Sequence, residues 1–166
     1  MSEWIKAAKE TKPEFREMDK AVSDYNYSEP KKAEVTDERV RRLIAEHINK
    51  SRDFLFPMIE AAYLEKEMDN ASALEDVMQW LDLFLLELGL PLVWDDRADY
   101  RKLAKLIKAD VTMIRNSKQL EGILESMQDR VLHGRSGPVV KKCAQLKKYI
   151  SDMLGLYKTR RHVLGG

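Results

Sequence analysis

Apolar residues in this chain return at steps of three and four along nearly its whole length, and no stretch alternates with the two-residue period of a strand. The clearest run is Tyr100, Leu103, Ala104, Ile107, Val111 and Ile114, a stripe that keeps helical period without a break. Only seven Gly and five Pro punctuate the 166 residues, too few for the many tight turns of a sandwich or barrel. The expectation is an all-α fold: a single-domain bundle of about six or seven helices, ending in a basic C-terminal helix and a short flexible tail. Residues 1–158 form the bundle, with 1–35 as a peripheral N-terminal helix and polar loop, and 159–166 form the tail or linker.

Local signals divide the chain further. Residues 2–10 read as a short helix with Trp4, Ile5 and Ala8 on its apolar side. Thr11 and Glu14 have capping-box spacing with Pro13 in the first turn, which predicts a helix over 13–25. Residues 26–35 are polar and contain Pro30, so they read as a loop. Thr36 is the next expected cap, and Pro57 is expected to end or kink the helix that follows. A further segment covers 58–68. Ser72 and Glu75 would cap a helix over 73–88, stopped by Gly89 and Pro91. Asp95 or Asp96 would cap the helix through Ile114, and Asn116 or Ser117 would open another over 118–133. The last helix is expected over 139–157.

The helix over 73–88 is apolar nearly all round, as a central or interface helix would be. With the segment Leu90-Pro91-Leu92-Val93-Trp94 after it, it nominates Trp80, Phe84, Leu90, Leu92 and Trp94 as an apolar interface. Charge is also unevenly spread. Residues 60–99 carry eleven acids and two bases, whereas residues 135–166 carry eight bases and one acid. The formal net charge of +1 is therefore the average of an acidic centre and a basic end. Lys141, Lys142, Lys147, Lys148, Lys158, Arg160 and Arg161 are the candidate contacts for an acidic partner or a phosphate backbone.

Chemistry-bearing motifs are scarce. No Gly-rich phosphate loop occurs, and no His-Glu-x-x-His pair. His47, His133 and His162 lie far apart, so no metal site is expected, and no cofactor or small-molecule substrate is indicated. Arg42 and His47 stand in Arg-x4-His spacing, which is common by chance, and His47 reads as a partly buried helix residue. Cys143, the only cysteine, sits on an apolar stripe and reads as a packed thiol in reducing, cytoplasmic surroundings. The most apolar stretch, residues 80–94, is interrupted by charges and is shorter than the roughly 20 residues a membrane span needs. No catalytic residue is nominated.

The expected function is that of a non-catalytic helical interaction module, a subunit or adaptor of a larger intracellular assembly. It would bind a protein partner or a second copy of itself, a homodimer included. The alternative is a nucleic-acid-binding accessory protein using the basic C-terminal helix and tail. A helix-turn-helix around 103–117, with its turn at residues 108–110, is a weaker form of that alternative.

Overall fold

A computed structural model describes residues 2–135 and 137–165; Gly166 of the expected tail and Met1 lie outside the described residues. Six helices make up all the regular structure among the described residues, and no strand occurs there. They are α1 (Glu3–Glu10), α2 (Lys12–Ala21), α3 (Pro30–Leu64), α4 (Met68–Leu88), α5 (Tyr100–Leu132) and α6 (Val139–Arg161). No helix among the described residues is long and apolar enough to cross a membrane.

Several boundaries differ from the sequence reading, each for a physical reason. The Ser2 hydroxyl caps α1 by accepting from the Ile5 N–H at 3.1 Å. Thr11 forms no capping box, because its hydroxyl donates back to the Ala7 carbonyl at 2.9 Å and closes α1. Helix α3 begins at Pro30, whose missing N–H costs nothing in a first turn. Thr36 lies inside it, buried, with its hydroxyl accepting from the Asn26 N–H and donating to the Asn26 carbonyl. Pro57 neither stops α3 nor starts a new helix. Its ring cannot donate to the carbonyl of Asp53, but Leu55, Met58 and Ala62 are all buried around it, and packing outweighs the lost bond. Ser72 likewise falls inside α4 rather than capping it.

Helix α5 runs unbroken for 33 residues, so residues 108–110 make no turn and the helix-turn-helix is not formed. Its cap is Asp99, which accepts from the Lys102 N–H at 3.0 Å, not Asp95 or Asp96. Ser117 is buried within α5. The expected tail is also corrected: Thr159, Arg160 and Arg161 are the last turn of α6, and Leu164 is fully buried.

Two of the turns use the same closing device. After α3, Lys66 adopts a left-handed φ of 58°, and the Glu67 N–H reaches back to the Ala62 carbonyl at 2.8 Å. After α5, Gly134 at φ 72° lets the Arg135 N–H reach the Arg130 carbonyl, also at 2.8 Å. Both are helix ends that a left-handed residue completes, and glycine takes that conformation without strain.

Contacts divide the chain into two compact units. The first comprises Met1–Ile44, Leu88–Arg115 and Gly155–Gly166; the second comprises Ala45–Glu87 and Asn116–Leu154. In the first unit the rings of Trp4, Phe15, Tyr25 and Tyr27 meet edge-on or tilted at 5.3–6.1 Å. Burial of Trp4, Tyr25 and Tyr27, with Met18, Val40, Leu106 and Ile107, supplies that unit's apolar core. In the second unit Ile48, Leu55, Leu81, Phe84, Leu120, Leu124 and Ile150 are buried together with Cys143.

Candidate docking groove

The seven basic candidates do not share one fate. Lys141 and Lys148 are exposed two turns apart on α6, on the same stripe as the acid Asp152. Lys142 is half-buried between α5 and α6. Lys147 turns toward α4, its Nζ 3.6 Å from Asp76. In the first unit, Lys158 is exposed, while the Arg161 guanidinium donates to the Pro91 carbonyl at 2.8 Å.

Arg160 is the plainest departure, since its side chain is wholly buried rather than offered to a partner. Its Nε donates to Asp110 Oδ1 at 2.6 Å and its Nη1 to Asp37 Oδ1 at 2.7 Å. Its Nη2 donates to the Tyr27 hydroxyl at 3.1 Å. Asp110 Oδ2 then accepts from Tyr25 at 2.8 Å and from Tyr27 at 2.6 Å. Asp37 Oδ2 accepts from Arg41 and from the Leu92 N–H, both at 3.0 Å. Two guanidinium groups thus balance two carboxylates, and every polar tip is met, as burial in low dielectric demands. Burial, reinforced by Asp110, holds both tyrosine hydroxyls well above their ordinary pKa. The negative neighbours hold Arg160 firmly charged against its own desolvation.

The same set pins the segment after α4. Arg41 donates to the Leu88 carbonyl, Tyr157 to the Leu90 carbonyl at 2.6 Å, and the Val93 N–H to the Arg161 carbonyl at 2.9 Å. Leu92 and Trp94 are therefore half-buried, while Leu90 remains 41% exposed. Of the other apolar interface candidates, Phe84 is fully buried in the second unit's core and Trp80 is half-buried.

In the second unit four helical segments are tied in a closed order. Arg52 on α3 pairs with Asp82 on α4 at 2.7 Å, and Asp76 on α4 meets Lys147 on α6. The Tyr149 hydroxyl on α6 donates to the Asn116 carbonyl on α5 at 3.1 Å. His47 and Glu121 then join α3 to α5 at 2.6 Å, supported by Gln128 on the Phe54 carbonyl. His47 Nε2 is buried without a hydrogen-bond partner. Burial pushes the Cys143 thiol up to about 11, which keeps it from acting as a thiolate.

Between α5 and α6 of this unit lies a half-open groove with a volume of about 650 Å³. Its floor is Met127 and Leu146, and Ile123 stands 39% exposed on its wall. Arg130 and Lys142 bring two cations to it, and no acid lines it. Gly122 also lines it, in the middle of α5, where alanine would favour the helix by roughly 1 kcal/mol. A Cβ built there meets nothing within 4 Å, so the groove's own packing gives no reason for glycine. An apolar floor, a cationic rim and a residue that keeps the backbone bare together suit the close approach of an apolar, acidic helix.

Of the groove, only Lys142 stood among the sequence candidates. Ile123 and Gly122 were legible as helix residues, but their neighbourhood with α6 follows from pairing of helices distant in sequence. Among the described residues, no group of three or more His, Cys, Asp or Glu side chains is placed to hold a metal ion. Comparison with protein-family models, with curated proteins and with solved structures finds no match to this chain.

Proposed function

We propose that this chain is a non-catalytic interaction module whose docking face is the α5–α6 groove of the second unit. The observation that carries the reading is the groove's composition: apolar floor, Arg130 and Lys142 without an opposing acid, and Gly122 bare on its wall. Such a surface gains affinity from apolar burial and takes its orientation from the two cations. Nucleic-acid binding draws less support, because Arg160 is buried, Lys147 and Arg161 are engaged, and Asp152 interrupts the exposed stripe of Lys141 and Lys148.

A photo-crosslinking side chain introduced at Ile123, in the cells that make the protein, tests this. The expected result is one discrete protein adduct that disappears when Lys142→Glu is added. Only diffuse, low-yield adducts that Lys142→Glu leaves unchanged would count against it.

A further inference from the structure

The second unit has a second unpartnered surface, on the side formed by α3 and α4. Among the described residues, six of the twelve exposed large apolar side chains lie on these two helix segments or at their turn: Phe56, Tyr63, Leu64, Met68, Leu83 and Leu86. Leu86 is 72% exposed and Phe56 53%. Asp53, Phe56, Glu60 and Tyr63 follow one another at helical spacing along α3 and are all exposed. On α4 the exposed stripe is Gln79, Asp82, Leu83 and Leu86. The Arg52–Asp82 pair and the hydrogen bond from Tyr63 to Glu75 join the two stripes into one face. Arg52 also stacks its guanidinium 5.7 Å from the Phe56 ring, so its charge is occupied within the face. Lys50 and Lys66 are exposed at the two ends of this face, and between them it presents apolar and acidic groups, with Asp53 and Glu60 beside Phe56.

That is the complement of the α5–α6 groove, and it belongs to the same chain. We infer that the occupant of the groove is the α3–α4 face of a second copy of this protein. The inference rests on the docking role proposed for the groove and names its partner. Phe56 and the two α4 leucines would cover Ile123, Met127 and Leu146, and Asp53 and Glu60 would meet Arg130 and Lys142.

The order of the four segments determines the kind of assembly. Contacts run α3 to α4 to α6 to α5 and back to α3, so the α5–α6 groove and the α3–α4 face lie on opposite sides of the unit. One contact uses the groove of one copy and the opposite face of the next, and each added copy leaves both kinds of surface open at the ends. Such a head-to-tail contact does not close as a dimer; it grows into short chains or a ring.

Sedimentation velocity on the intact protein, from low micromolar to near-millimolar concentration, is the test. The expected result is a sedimentation coefficient that rises with concentration past the dimer value and falls again with added salt. Leu86→Glu and Lys142→Glu each change an accessible position, and unchanged helical circular dichroism would verify their fold. Each alone is expected to weaken association on the order of tenfold or more. Mixed together, they should form a one-to-one dimer and stop, because each variant retains the surface that the other has lost. A wild-type chain that stays monomeric throughout, or a mixture that stays monomeric, would overturn the inference. So would a wild-type dimer that grows no further. In any of these cases an Ile123 adduct with a different protein would leave the groove's docking role standing, whereas no adduct at all would remove both.

Discussion

Replacing Arg160 with methionine, which keeps much of its length and removes the guanidinium, probes the first unit most severely. The substitution deletes three hydrogen bonds, at 2.6, 2.7 and 3.1 Å, from a side chain with no exposed surface. Asp37 retains Arg41, but Asp110 retains only the two tyrosine hydroxyls, so one carboxylate is left buried without a cation. Breaking a buried pair from one side costs about 3–5 kcal/mol, against a total stability on the order of 5–15 kcal/mol for a domain. Urea unfolding followed by helical circular dichroism measures the loss. Adding Asp110→Asn to Arg160→Met should recover part of it, because the stranded charge is then gone. A loss under about 1 kcal/mol for Arg160→Met would refute the reasoning, since only a solvated ion pair is that cheap to break.

Other outcomes follow from the same contacts. Tyr25 and Tyr27 keep their protons in the fold well above 10, whereas in the unfolded chain they release them near 10, so stability is intact below that pH and lost above it. The loss should approach about 1.4 kcal/mol per pH unit per tyrosine. Tyr27→Phe should make the alkaline slope of the unfolding midpoint shallower, and an unchanged slope would contradict the assignment. Lys66→Gly should stabilise the chain by about 0.5–1 kcal/mol in a urea titration, since glycine takes the left-handed φ without the penalty lysine bears. Cys143, buried and with its thiol pushed up to about 11, should react with a disulfide reagent at neutral pH only as fast as the second unit opens. Immediate stoichiometric reaction would contradict its burial.

The helical class and the main stripes were legible because period alone reports which face is buried. Gly89 marked the end of α4 correctly, since glycine, with no side chain to restrict its backbone, disfavours a helix wherever that helix packs. Pro57 and Ser117 misled for the opposite reason. Each is a local breaker or cap whose preference, worth at most a few kcal/mol, is overridden by buried neighbours on both sides. Thr36 looked like a cap because nothing local reveals that its hydroxyl would close the loop after α2. The ion network leaves a trace in the sequence. Asp37 lies on the buried stripe of Ala33, Val40 and Ile44, and Asp110 on that of Leu103, Leu106 and Ile114. Arg160 continues the stripe of Met153 and Tyr157. Charges of opposite sign at three core positions are a signal that they meet, because none could be buried alone. The groove left no such trace, since it arises where α5 and α6 pack side by side.

The central claim is that the α5–α6 groove is a covered surface when the protein is at work. Because Cys143 is buried, an Ile123→Cys chain offers a selective thiol, and its rate of maleimide labelling reads coverage directly. This position is expected to label fast in dilute purified protein and much more slowly in concentrated protein or in the cells that make it. A thiol placed by Lys12→Cys, exposed on α2, should change little and serves as the control. Equal slowing at both positions, or none at Ile123, would contradict the claim.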